Sequence, residues 1–122
     1  MSDVILTNVK QMLGLQTDYT PFDNELVMHI NSVLMILNQL GVGNDGFRIS
    51  LNEVGENEPP ISTETWSNFL GTSYTGDKEA VKSYVFTKVK LLFDPNASGV
   101  LLENYKKLAD EFEFRLSVAS GV

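Results

Sequence analysis

The sequence predicts a mainly α protein: a small bundle of about four to five helices with one short β-strand or hairpin near residues 46–61. Three observations carry this. Apolar residues recur at three- and four-residue spacing in several segments, the signature of helices with one buried face. Glycine stands where the first two of these segments stop. Only one stretch, Phe47 to Leu51, alternates apolar and polar residues with the period of a strand.

In order along the chain, Ser2 can cap a first helix that ends near Leu13, with Ile5, Val9, Met12 and Leu13 on one face. Gly14 supplies a left-handed stop, and Leu15 can fold back on the last turn. The second helix has Thr20 as its expected N-cap, Pro21 at the first helical position, and Asp23 closing a box with Thr20. Leu26, Ile30, Val33, Leu37 and Leu40 form its stripe, widened by Val27 and Leu34. Met28, Met35 and Ile36 lie off that stripe, so this helix is either central in the subunit or lends a second face to a neighbour. Gly41 and Val42 repeat the glycine stop.

Asn44-Asp45-Gly46 marks a turn, and the strand-like Phe47, Ile49 and Leu51 follow. A lone strand has unpaired backbone groups and needs a partner. The acidic stretch from Asn52 to Pro60 reads as an exposed loop. A short helix from Thr63 to Leu70 can place Trp66, Phe69 and Leu70 on the core. Asp77 can cap the next helix, which runs to Phe93 and is closed by Asp94-Pro95. Its apolar arc holds Ala80, Val81, Tyr84, Val85, Val89, Leu91 and Leu92, but Lys88 falls inside that arc and Phe86 outside it. Ser98 can cap a last helix reaching about Val118, with Leu101, Leu102, Tyr105, Leu108, Ala109, Phe112 and Leu116 as its stripe. The tail from Ser117 to Val122 is expected to be flexible. The second, fourth and last helices, with Trp66 against them, are the expected core, and Leu37 and Leu92 are expected to be buried.

A length of 122 residues fits one domain spanning residues 1–122, large enough to bury a core without staples. The chain has no cysteine, so disulfides and thiolate chemistry are excluded. The N-terminus lacks a basic stretch followed by an apolar core, so no secretory leader is expected. No apolar run approaches the ~20 residues that span a bilayer, so no membrane partner is expected. The net charge of −7 argues against tight binding to a phosphate backbone. It is unevenly spread: residues 1–77 hold ten acids against Lys10 and Arg48, whereas residues 78–122 hold six acids and seven bases. A dipolar subunit of this kind could pair head to tail with copies of itself, or simply present a solvated acidic surface.

The search for chemistry finds no catalytic residues, no metal ligands and no cofactor site. His29 is the only histidine, sits inside the second helix between Met28 and Ile30, and is assigned a structural or surface role. One histidine and no cysteine cannot supply the four ligands of a zinc site. Gly41 to Gly46 matches G-x-G-x-x-G, but it follows a helix and precedes a strand-like segment, the reverse of a dinucleotide-binding turn. It reads as a helix stop plus a turn. Glu53, Glu56 and Glu58 lack the spacing and the internal glycine of a helix-loop-helix calcium loop. Asn96-Ala97-Ser98 matches a glycosylation acceptor, but Ser98 serves better as a cap. Lys78, Lys82, Lys88 and Lys90 are spread around their helix without aromatic residues placed to stack bases.

Several segments taken in order are distinctive: Glu25-Leu26 through Ile30-Asn31-Ser32, Leu40-Gly41-Val42-Gly43 leading to Gly46-Phe47, and Thr65 to Leu70. With Ser83 through Phe93-Asp94-Pro95 and the closing Glu113-Phe114-Arg115-Leu116, they resemble the small head–tail connector (head-completion, or adaptor) proteins of tailed bacteriophages and prophages of Gram-positive hosts. The likeness runs from about Thr7 to Val118 and departs in the acidic stretch Asn52 to Ser62, which is longer than the family usually carries. The resemblance implies a non-enzymatic virion protein without cofactors. Its copies form a ring, commonly twelvefold, that joins the capsid portal to the tail in the virion neck after assembly in the host cytoplasm. It further implies portal protein on one side, a downstream neck or tail-completion protein on the other, and DNA passing through without sequence-specific binding. An acidic bore would suit such a conduit, since it repels phosphate and lets the duplex slide. Met28, Met35, Phe86 and Lys88 are the expected subunit-interface residues, and Phe114, Arg115 and Val118, next to the tail, the expected portal-docking residues. Two readings of other classes stay open: an acidic helical inhibitor or DNA mimic that binds a basic protein, and a small enzyme that uses carboxylates alone.

Overall fold

The computed structural model describes residues 3–93 and 99–120, the side chains of residues 119 and 120 excepted. Five helices lie within these residues: α1 (Ile5–Met12), α2 (Asp23–Gln39), α3 (Trp66–Leu70), α4 (Lys78–Phe93) and α5 (Gly99–Ser120). The caps expected of Ser2, Asp94-Pro95 and Ser98, and the acceptor at Asn96, lie outside the described residues.

The glycine stops are Schellman motifs. Gly14 and Gly41 have φ of 81° and 86°. The Leu15 and Val42 amides donate back to the Lys10 and Leu37 carbonyls, both at 2.9 Å, satisfying carbonyls that a helix end leaves open. Asp77 caps α4 as expected, its carboxylate accepting from the Glu79 and Ala80 amides at 3.0 and 3.2 Å. Thr65 starts α3 in a capping box with Asn68. The start of α2 differs from expectation. Thr20 contributes only its carbonyl to a turn ending at the Asp23 amide, and Phe22 occupies the N-cap position without a side-chain cap bond. Asp23 does not close a box, because its carboxylate is committed to Lys10.

The N-terminal elements are stitched together by polar groups. The Ile5 amide donates to the Glu64 carbonyl at 3.0 Å, and the Trp66 amide to the Asp3 carbonyl at 2.9 Å, so α1 and α3 start from one antiparallel bridge. The Trp66 indole donates to the Asn8 side chain at 2.9 Å, which lets the largest core residue bury its N–H without loss. The expected strand is an extended segment with a single bridge, Asn52 to Ile61. Its alternation is real, with Ile49 buried and Arg48 and Ser50 exposed. The partner it needed is a side chain: Asn31 of α2 donates to the Ile49 carbonyl at 2.9 Å and accepts from its amide at 2.8 Å. One amide thus replaces a neighbouring strand.

One apolar cluster joins all five helices. Helix α4 packs on α5, α2 and α1, and α1 also packs on α2. Val81, Val85 and Val89 lie along one face of α4 at four-residue spacing and are fully buried. Phe86 meets Tyr105 of α5 edge-on at 6.5 Å, and Lys88 pairs with Glu113 of α5 at 3.7 Å. Thr87, between them and across the helix from Val85, is also buried, and its hydroxyl is satisfied by the Ser83 carbonyl at 2.7 Å. α5 therefore covers the back of α4, and the layer runs α2, α4, α5. The helix buried on two sides is α4, while α2 keeps its second face open.

Two further expectations change. Leu92, on the last turn of α4, is 48 % exposed, while its neighbour Phe93 meets Phe22 at the start of α2 edge-on at 5.1 Å. The last helix, expected to reach about Val118, runs to Ser120, and residues 121 and 122 lie outside the described residues.

Candidate assembly surfaces

On α2, Leu26, Ile30, Val33, Leu34 and Leu37 are buried, and the opposite face carries Met28 and Met35, 60 % and 48 % exposed. They are seven residues apart and so share one face, about 10.5 Å apart along the axis. Between them Ser32 turns its hydroxyl back to the Met28 carbonyl at 3.1 Å, so a short side chain stands between two thioethers. A groove continues from Met35 past Asn38 to Phe47 and Arg48. Its rim is held by Asn38, whose side chain donates to the Val42 and Asn44 carbonyls, both at 3.1 Å, and accepts from the Gly46 amide at 3.2 Å. Gly43 in this turn has φ of 82°, and a Cβ there would sit 2.3 Å from the Phe69 ring. The G-x-G-x-x-G match is thus a helix stop and turn wedged on an aromatic ring.

On α5, Ala109 and Leu116 are buried against the core, and Phe114 and Val118 stand on the far side, 71 % and 62 % exposed. Arg115 forms a pair with Glu111 one turn back on the same helix. The residues expected to dock portal therefore sit on a regular helical face. Of those expected at a subunit contact, Met28 and Met35 are outward, whereas Phe86 and Lys88 face α5 of their own chain.

Two polar sites went unread in the sequence. Lys10 and Asp23 form a buried ion pair at 2.8 Å, with Lys10 also donating to the Thr17 carbonyl at 3.0 Å. Lys10 falls at the C-terminal end of α1 and Asp23 at the N-terminal start of α2, where both helix dipoles favour these charges. The signal was available: Lys10 follows Leu6 by four residues and Val9 by one, on the buried face. The second site is Glu64, whose carboxylate accepts from the Ser62 hydroxyl at 2.8 Å, the Ser50 hydroxyl at 3.0 Å and the Ser50 amide at 3.3 Å. Burial pushes its pKa up, but these bonds and its own amide outweigh that and hold it below the ordinary value of 4.5. The first ties α1 to α2 and to the loop between them, and the second ties two loop segments together.

The hydroxyl of Tyr84 is buried against α5 beside the Glu113 carboxylate, without a well-formed hydrogen bond among the described residues. Burial first, then the charges of Glu113 and Asp110, push its pKa up. Among the described residues no group of three or more His, Asp or Glu side chains could hold a metal ion, and no helix is long and apolar enough to cross a membrane. His29 is half-buried on α2.

The scaffold leaves exposed apolar groups on the outward faces of α2 and α5. The phage connector protein family matches residues 5–122, and the chain belongs to that family. Comparison with curated proteins and with solved structures gave no match.

Proposed function

We propose that this protein is a ring-forming subunit of the virion neck, which joins the capsid portal to the tail and prolongs the channel through which DNA passes. The observation that carries this reading is the connector-family match across residues 5–122. The open faces of α2 and α5 support it, since a subunit that closes a ring needs two surfaces. Portal protein is the partner on the capsid side and a downstream neck or tail-completion protein on the other. A twelvefold ring matches what connectors of this kind commonly form. The acidic surface of residues 1–77 suits a conduit, because a negative wall does not hold the duplex.

The test is to mix the purified protein with purified portal rings and image the product by electron microscopy, with native mass spectrometry for stoichiometry. The expected result is a second ring stacked coaxially on portal, absent when portal is omitted or replaced by an unrelated ring. A protein that ignores portal and stays monomeric, or that instead captures a basic DNA-binding protein, would overturn the reading.

A further inference from the structure

We infer that neighbouring subunits meet through two unlike helix faces: the Met28–Ser32–Met35 face of α2 on one copy receives the Phe114–Val118 face of α5 from the next. This rests on the ring reading above and assigns its contact. Three observations on different parts of the molecule carry it.

The first is direction. α2 and α5 lie on opposite sides of α4, and each turns its exposed apolar residues away from α4. The two apolar faces of one subunit therefore look in opposite directions. A contact between them joins copies head to tail, the arrangement that closes into a ring when the rotation permits. A twofold contact would instead place α2 on α2 or α5 on α5.

The second is charge. The α2 helix has Asp23 and Glu25 and no Lys or Arg, and Asp23 is already paired inside the chain. Glu25 is exposed beside the Met28 face. Pairing α2 with α2 would bring acidic surfaces together. The outward side of α5 carries Lys107, seven residues before Phe114, among the exposed acids Glu103, Asp110 and Glu111. The unlike pairing sets the one exposed carboxylate of α2, Glu25, against the base Lys107, whereas α2 on α2 offers it no base.

The third is spacing. Ser32 lies seven residues after Glu25, and Phe114 seven residues after Lys107. With the two helices running parallel, Phe114 meets the short Ser32 side chain between Met28 and Met35. Lys107 then falls beside Glu25, and Val118, one turn on from Phe114, falls beside Met35. Methionine is suited to close around a ring, since its thioether adapts to an aromatic neighbour.

The chain's lack of cysteine makes the test direct. Ser32→Cys and Phe114→Cys are each made alone and together, both at exposed positions, and oxidised in the portal-bound assembly and in free protein at high concentration. A short bis-maleimide serves as a second cross-linker. The expected result is a cross-linked dimer when the two single variants are mixed, none from either alone, and a ladder of multimers from the double variant. Glu25→Lys is expected to lower ring yield by about tenfold, with recovery when combined with Lys107→Glu. Dimers from Ser32→Cys alone would overturn the proposal in favour of a twofold contact. Rings seen by microscopy without the mixed cross-link would overturn it and leave the ring reading standing. So would Phe114→Ser subunits that still form rings but lose portal, which would make this face a portal contact. Absence of any ring from the unmodified protein would overturn both.

Discussion

On one side of α4, Val81, Val85 and Val89 meet the α1 and α2 layer, where the contact residues are aliphatic and the polar groups of the surrounding loops are tied by hydrogen bonds. On the other side α5 covers a mixed seam of Thr87, Tyr84 and Lys88, with one buried hydroxyl lacking a well-formed hydrogen bond and one ion pair half open to solvent. The first side is the interior of a scaffold, and the second is a docked helix. Of the described α5 side chains, only Ala109 and Leu116 are among the buried hydrophobics, whereas α2 supplies five. Burial of apolar area is the main source of stability, so α2 draws more of its hold from fully buried apolar side chains than α5 does.

The comparison can be broken first at Lys10. Lys10→Ala leaves the Asp23 carboxylate buried without its cation, and a loss of about 3–5 kcal/mol is expected in urea unfolding. Replacing both partners with apolar residues of similar size, Lys10→Met with Asp23→Leu, is expected to recover most of that loss. A small loss in the single variant would mean that the α1–α2 corner opens readily to water.

Next comes a matched pair of leucines. Leu37→Ala on the α2 side should cost about 2–5 kcal/mol, the range for a buried leucine. Leu92→Ala, which was expected to be equivalent from the sequence, should cost less than about 1 kcal/mol, because half of that side chain is already in water. Equal shifts in the urea midpoint would contradict the exposed position of Leu92.

On the α5 side, Tyr84→Phe removes a buried hydroxyl that lacks a well-formed hydrogen bond. It should leave stability unchanged or raise it by up to about 1 kcal/mol, measured by thermal melting. A clear loss would show that the hydroxyl is satisfied in solution, most simply by Glu113.

The smallest expected effect is a pH dependence. Glu64 has a folded pKa below its unfolded value, so its contribution is present above about 4.5 and fades as the pH falls through the folded pKa. Glu64→Gln should therefore be less stable than the parent near neutral pH, with the gap closing as the solution is acidified below that value. A gap that stays constant with pH would mean that the serine bonds do not depend on the charge.

The sequence by itself determined the helices, both glycine stops, the Asp77 cap, the burial of Trp66 and Phe69, the turn nature of Gly41 to Gly46, and membership in the connector family. These are legible because each rests on contacts within a few residues or on a periodicity that one face of one element imposes. What it could not determine is what stands across from each face. Lys88 and Phe86 read as anomalies on α4 because a helix buried on two sides has no single apolar arc, and only α5 folded back on it gives them Glu113 and Tyr105. Asp23 read as a cap because its nearest partner in sequence is Thr20, while its partner in space lies a helix earlier. Phe47 to Leu51 read as a strand because its alternation is that of a strand, yet its backbone is satisfied by Asn31. In each case the tertiary structure decided the outcome, because hydrogen bonds and charges choose partners by distance in space, and the sequence pattern records only that a partner is required.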